Sequence, residues 1–432
     1  MKKYPEYKDS GIEWIGEIPQ SWTISRLKYL AHIKTGYTPP KNDDLNYSCD
    51  GIPWIKPDDL NGFQPIFETK NKTSDQGLRN GNLIEPNSVL MCCIGSIGKM
   101  GVSGCQAITN QQINSLTFNS KVNNEFAKYL VFASQEEHIR EANGNVIKIL
   151  NSENQKNITF PLPAYKEQQK IAQFLDDKIK RIESLIKKKK ELIELLKEER
   201  AAIINQAVTK GINPDAEMKD SGIEWLGEVP KHWNVSKLKY LSRIRYGLGQ
   251  PPKQVEGGLP MIRATNVERG RIVKKDMMFV SSEDVPKERE PFLCENEIIV
   301  VRSGAYTADS AIIPKEYEGA VAGYDMVVTP KAIQPKFLSY GLLSQYMLNF
   351  QLDIQKLRAA QPHLNAEELG ATLVLCPPFH EQTIITEYIT KRVSEIDKTI
   401  ELAIKEISLI EEYRTALINE AVTGKIKVTE SV

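Results

Sequence analysis

Two sets of Arg, Lys, Asn, Gln and Tyr residues recur in polar stretches at corresponding places along this chain, and the chemistry they offer is recognition. The first set is Lys34, Tyr37, Lys41, Lys56, Ser96, Lys99, Asn110, Gln111 and Gln112. The second is Arg245, Tyr246, Gln250, Lys253, Arg263, Asn266, Arg302, Ser303, Tyr306, Arg358 and Gln361. Arg and Lys suit the paired acceptors of guanine, Asn and Gln the donor–acceptor edge of adenine, and Lys and backbone amides hold phosphates. Any one of these side chains is also what an ordinary solvated surface displays. Only their grouping, in both parts of the chain, points to double-stranded DNA.

Bond-making chemistry leaves other traces, and the sequence shows none of the familiar ones. It has no HExxH zinc helix, no phosphate loop, no GxSxG elbow and no Gly-rich cofactor fingerprint after a strand. Gly95-Ser96-Ile97-Gly98-Lys99 is too short for a phosphate loop and reads as a tight turn whose amides approach a phosphate. Of the five His, His32 and His232 lack a His partner in the other half. The expectation is no catalytic residue, no cofactor and no metal in this chain. An active site of unfamiliar form stays open, as does a self-sufficient DNA methyltransferase.

The loops must be held by something, and 432 residues exceed what one core organises. Hydrophobic residues make up 41% and charged residues 26%, a globular balance. Lys+Arg and Asp+Glu number 56 each, so a DNA-binding role must rest on local patches or on charge from partners. The opening Met1-Lys2-Lys3-Tyr4-Pro5-Glu6 lacks a signal-peptide core, and no apolar run approaches membrane-spanning length. Six cysteines without zinc spacing, two of them adjacent at Cys92-Cys93, fit a protein of the reducing cytoplasm.

The positioning elements come twice. Residues 8–36 and 219–247 share 18 of 29 positions at an offset of 211, including Trp14/Trp225, Pro19/Pro230 and Trp22/Trp233. These tryptophans read as packing residues. The likeness thins through Gly51-Ile-Pro-Trp-Ile-Lys56 against Gly258-Leu-Pro-Met-Ile-Arg263, and is weak between 64–82 and 267–291. It returns at Pro163–Gln168 against Pro378–Gln382, and at Arg200–Thr209 against Arg414–Thr423. Short β-rich runs, such as Ser88–Ile94, Glu297–Val301 and Met326–Thr329, fill the region between.

Each unit closes on a long helix. Positions 175, 179, 182, 186, 189, 193, 196, 200, 203 and 207, and the matching set from 389 to 421, form a mainly apolar 4-3 seam over four heptads. Pro163 and Pro378 mark the starts, Glu167 and Glu381 put negative charge near the helix N-termini, and Gly211 and Gly424 fall near the stops. About 44 helical residues span ~65 Å. Two separate amphipathic helices remain an alternative; a shared seam predicts that the helices pack as an antiparallel coiled coil with pseudo-two-fold symmetry. The fold class is α+β. The expected divisions are 1–162, a first long helix over 163–211, 212–376, and a second long helix and tail over 377–432.

On these residues the chain resembles the specificity subunit of type I restriction–modification systems over essentially its full length. The carriers are the tandem Lys-Asp-Ser-Gly-Ile-Glu-Trp openings at 8 and 219, Asn110-Gln111-Gln112, the Pro-x-x-x-Glu-Gln start at 163 with its relative at 378, and the Asn-x-Ala-Val-Thr helix ends. The resemblance implies two target-recognition domains, each reading half of an asymmetric bipartite DNA site, spaced by the helices. It also implies no catalysis here: two methyltransferase subunits would bring S-adenosylmethionine, and translocating endonuclease subunits would join them. The second unit departs from the pattern, with Gly323-Tyr324-Asp325 near the place of Asn-Gln-Gln. The competing expectation is a structural coiled-coil adaptor with two protein-binding heads.

Overall fold

The computed structural model describes residues 2–40, 42–78, 83–144, 148–352 and 363–428. Contacts divide the chain into two units, residues 1–189 with 405–432, and residues 190–404. The division runs through both long helices, so a unit is not one repeat of the sequence. Each combines a globular region with the start of one long helix and the end of the other.

In the first unit, Thr23–Arg26 (β1) and Ala31–Thr35 (β2) lead to the long strand Tyr47–Ile55 (β3) and the short Pro65–Ile66 (β4). Then come Val89–Cys92 (β5), Met100–Ser103 (β6), Ile108–Thr109 (β7) and Ile113–Phe118 (β8). The main sheet has the order β2-β8-β5-β6-β4, with Asn114 opposite Thr35 on one side and Met91 on the other. The short β7 pairs with β3 in parallel. Helices Asn124–Ala133 (α1) and Ser152–Asn157 (α2) precede Thr159–Leu162 (β9), which pairs with β1, and the 46-residue helix Tyr165–Lys210 (α3) follows. The β-rich run at Ser88–Ile94 thus becomes a strand buried along its whole length.

The second unit repeats this plan. Asn234–Lys237 (β10), Ser242–Tyr246 (β11), Gln254–Ile262 (β12), Ile298–Val300 (β13), Ser310–Ile312 (β14), Val321–Ala322 (β15) and Met326–Pro330 (β16) succeed one another. Its sheet runs β11-β16-β13-β14, with Met326 opposite both Tyr246 and Val300. The parallel β12–β15 pair matches β3–β7. Helices Pro335–Leu342 (α4) and Ala366–Ala371 (α5), the strand Leu373–Cys376 (β17) paired with β10, and the 44-residue helix Phe379–Val422 (α6) complete it.

The seam positions of both helices are buried or half-buried throughout. Late in α3 the burial drifts onto Ile204 and Val208, as a straight helix of 3.6 residues per turn must drift from a strict seven-residue repeat. In the first unit Lys189 pairs with Glu406, while Glu167 and Gly424 both lie against Trp22. In the second, Arg200 pairs with Asp397 at 3.1 Å, and Gly211 and Glu381 both lie against Trp233. Low numbers of one helix meet high numbers of the other within each unit, so the helices run antiparallel.

The duplicated motifs turn out to be joinery. Trp22 and Trp233 are fully buried, and their indole N–H groups donate to Glu167 Oε2 at 3.1 Å and Glu381 Oε1 at 3.2 Å. Those glutamates serve a tryptophan, beyond the helix-end charge effect expected of them. The next residue, Gln168, is buried and donates to Pro163 O and Lys121 O while accepting from Asn123 N. Asn123 in turn caps α1. Gln382 does the same for Gln334, the cap of α4. Thr209 and Thr423 bond back to Asn205 O and Asn419 O, and Gly211 and Gly424 follow with φ of 74°.

Candidate nucleic-acid interface

The two sets of candidate residues hang on the same backbone frame. In the first unit Gly36 N donates to Ile113 O, Tyr37 N to Thr109 O, and Asn110 N to Ile55 O, at 3.0, 2.7 and 3.0 Å. In the second, Gly247 N donates to Asp325 O, Leu248 N to Ala322 O, and Gly323 N to Ile262 O, at 2.9, 3.0 and 2.8 Å. A Cβ on Gly36 would sit 2.0 Å from Asn110 O, and one on Gly247 would sit 1.9 Å from Gly323 O. The glycine that ends each repeated segment is therefore required by this close approach of strand and loop. Further out, Leu150 N donates to Cys93 O and Leu364 N to Arg302 O, both at 2.8 Å, and Asn151 and Asn365 cap α2 and α5.

Several candidates are spent on building this frame. Arg245 uses all five donors inside the protein: Nε to Glu290 O, Nη1 to Glu297 Oε1 and Thr329 Oγ1, Nη2 to Phe292 O and Glu297 Oε2. Lys34, at the matching register, donates to Leu83 O at 3.1 Å. Asn266 is fully buried, its Nδ2 donating to Val273 O and Lys275 O and its Oδ1 accepting from Arg263 N. Asn110 is buried and bonds Gln112 through both ends of its amide, so half-buried Gln112 serves the loop as well. None of Arg245, Asn266 and Asn110 has a free polar edge to offer a base. Lys41, Arg358 and Gln361 lie outside the described residues.

What remains accessible differs between the units. In the first, exposed Gln111 accepts from Thr38 Oγ1, Lys56 lies 4.2 Å over the Trp54 ring, and half-buried Tyr37 immediately precedes Thr38. The exposed turn carrying Ser96 and Lys99 joins β5 to β6, with Gly95 and Gly98 at positive φ. In the second unit the Arg302 guanidinium lies over two exposed rings, 4.6 Å from that of Tyr246 and 4.4 Å from that of Tyr324. Its Nη2 donates to His363 Nε2 at 3.1 Å, and its backbone N–H donates to Asp325 Oδ1 at 3.2 Å. Burial pushes the Asp325 carboxyl up to about 6, against the pull of the Arg302 N–H and charge. Arg263 Nη2 donates to Asp276 O at 2.6 Å, Ser303 bridges to His363, and Gln250, Lys253 and Tyr306 are exposed.

Thr38, Trp54, Tyr324, Asp325 and His363 were not among the candidates drawn from the sequence. Gly323–Asp325 takes the place of Asn110–Ile113 with one residue fewer, a position the sequence comparison had reached without marking Tyr324 or Asp325 as site residues. The pairing Ser303–His363 matches Ile94–Ile149, each followed by a Leu-Asn pair, Leu150-Asn151 and Leu364-Asn365, that was not compared between the two units.

A family model described as the type I restriction modification DNA specificity domain matches this chain twice, over residues 19–195 and 230–411. The chain belongs to the family of type I restriction–modification specificity subunits. It is 24% identical to the MjaVIII specificity subunit of Methanocaldococcus jannaschii, over 95% of this chain and 94% of that one. It is 21% identical to the EcoKI specificity subunit of Escherichia coli K12, over 95% and 90%. Its fold is that of a chain solved in work on complex assembly and conformational transition of a type I R-M system, with a TM-score of 0.71 at 13% identity, covering 95% and 99%. A specificity subunit recognises DNA sequence, and catalysis lies on partner subunits. Among the described residues no helix is long and apolar enough to cross a membrane, and no cluster of His, Cys, Asp and Glu could hold a metal ion.

Proposed function

We propose that this specificity subunit reads an asymmetric, bipartite DNA sequence, one half-site with each unit, and directs methyltransferase and endonuclease subunits to it. The supporting observation is one frame carrying two unlike surfaces. Where the second unit presents Tyr246, Arg302 and His363, the first has Thr35, Cys93 and Ile149 at the same hydrogen-bonding register. Unlike donor patterns on like frames read unlike half-sites. The long helices set the separation between the two readings in steps of DNA pitch.

The balanced net charge fits a subunit that shares phosphate neutralisation with partners. Two methyltransferase subunits would supply S-adenosylmethionine and the methyl transfer, in the cytoplasm. The test is to map methylated positions in cells carrying this chain with its partner, and to repeat it after exchanging residues 212–375 for another such domain. One half of the motif should change and the other persist. Both halves changing together, or random-duplex selection yielding no sequence preference with or without the methyltransferase, would overturn the reading.

A further inference from the structure

Among the described residues the first unit has no counterpart of the Arg302 cluster, whose chemistry narrows what it can bind. The guanidinium is laid flat against the Tyr246 and Tyr324 rings, a cation–π arrangement that fixes its plane. Because a guanidinium only donates, His363 accepts through Nε2, which fixes the rotation within that plane. Arg302 Nε is shielded and without a partner, and three Nη protons remain after the bond to His363. Tyr246 is itself anchored, its hydroxyl accepting from Ala366 N at 2.8 Å. The fork is thus held in place before any ligand arrives.

Two kinds of DNA group accept from such a fork, a backbone phosphate and the paired O6 and N7 of guanine. The surroundings disfavour the anion. Both electron-rich ring faces already offset the guanidinium charge, and the buried Asp325 carboxyl sits against the Arg302 backbone, so a phosphate would meet a cation that is already partly compensated. A neutral base edge with two acceptors meets no such penalty, and the flat rings exclude water from its flank.

Resting on the proposed DNA-reading role, we propose that Arg302 specifies a guanine in the half-site read by the second unit, with Tyr246, Tyr324 and His363 as its positioning residues. The first unit has Cys93 at this place and makes no equivalent reading.

The test uses the full chain with its co-expressed methyltransferase. Methylation motifs are mapped for the wild type, Arg302→Lys and Arg302→Ala, the second unit's half being the one that changes on exchange of residues 212–375. In both variants one guanine of that half becomes degenerate, its preference over other bases falling about 5- to 150-fold, while the other half is unchanged. Lys keeps the charge and loses the fork, so a phosphate contact would survive Arg302→Lys. A measurement on the unaltered protein runs beside it: 7-deazaguanine, which lacks the N7 acceptor, placed at each guanine of that half should weaken binding at one position, and Arg302→Lys should be insensitive there. The proposal is overturned by a motif that keeps every guanine, by uniform weakening across sequences with a salt slope reduced by about one, or by a wild type indifferent to 7-deazaguanine at every position. A wild type that yields no motif at all refutes instead the DNA-reading role on which the proposal stands.

Discussion

Arg245→Met separates a structural arginine from a reading one. Arg245 and Glu297 side chains are only 13% and 6% exposed, and the arginine also ties the Glu290 and Phe292 carbonyls. Removing the cation leaves the carboxylate with two hydrogen-bond donors, Thr329 Oγ1 at 2.5 Å and Cys294 N at 2.9 Å. Breaking a buried pair on one side costs about 3–5 kcal/mol. At roughly 2–4 °C per kcal/mol for a unit of this size, the melting transition falls by about 6–20 °C. Glu297→Leu should cost a similar amount, and the double variant should be less unstable than the sum by about 2 kcal/mol, the coupling of a contacting pair. Burial raises the Glu297 pKa, but hydrogen bonds from Arg245, Thr329 and Cys294 N–H and the Arg245 charge outweigh it and hold the pKa below its ordinary 4.5. The pair's stabilisation is therefore complete above that value and lost as pH falls through the lower folded one; Arg245→Met should shed this dependence. Urea unfolding of the four proteins between pH 3.5 and 7 measures all of this, and methylation mapping at permissive temperature should return an unaltered motif. A fully additive cycle, or a changed motif in a variant of wild-type stability, would refute the assignment of Arg245 to the frame.

Three further outcomes follow from the geometry. Gly36→Ala and Gly247→Ala each force a methyl into a backbone carbonyl, so each should cost at least about 2 kcal/mol in urea unfolding and degrade one half of the motif first. Gln382→Ala strands the Gln334 N–H and the Pro377 carbonyl and should cost about 2–3 kcal/mol, read as faster hydrogen exchange in α4. Asp325 has a folded pKa near 6 against 3.8 unfolded, so the folded state binds the extra proton and stability falls as pH rises from about 4 to 6. Asp325→Asn keeps an acceptor for Arg302 N–H and should be more stable than wild type at pH 7.5 by something on the order of 2 kcal/mol, with the difference gone near pH 4.

Periodicity and repetition made the frame legible from the chain alone. The 4-3 seam marked helix positions that prove buried or half-buried, because burial on a helix is a local, repeating property. The tryptophan pair was recognisable as packing, yet its glutamate partners were not, since Trp22 and Glu167 are 145 residues apart and no local pattern links them. The same blindness explains the site. Arg245 and Asn266 look like surface readers in sequence, because a donor turned inward is written with the same letter as one turned outward. Glu297 is 52 positions from Arg245, and Lys275 falls in a segment the two units do not share. Tyr324 and His363 escaped because only the folded chain brings them onto Arg302, His363 from 61 positions away.

The shared helices also impose an order in time. Residues 190–404 of the second unit leave the ribosome as one uninterrupted stretch, whereas the first unit needs residues 405–432 to finish. Its Tyr7 hydroxyl donates to Lys425 O across 418 positions of chain, and Leu417, Ile418, Ala421 and Val422 complete the core around Trp22. At about 5–20 residues per second, the first unit waits roughly 10–40 s after residue 189 is made, with the core around Trp22 unfinished. The head synthesised first is the one completed last, so a stop codon late in the message destroys the reading encoded earliest.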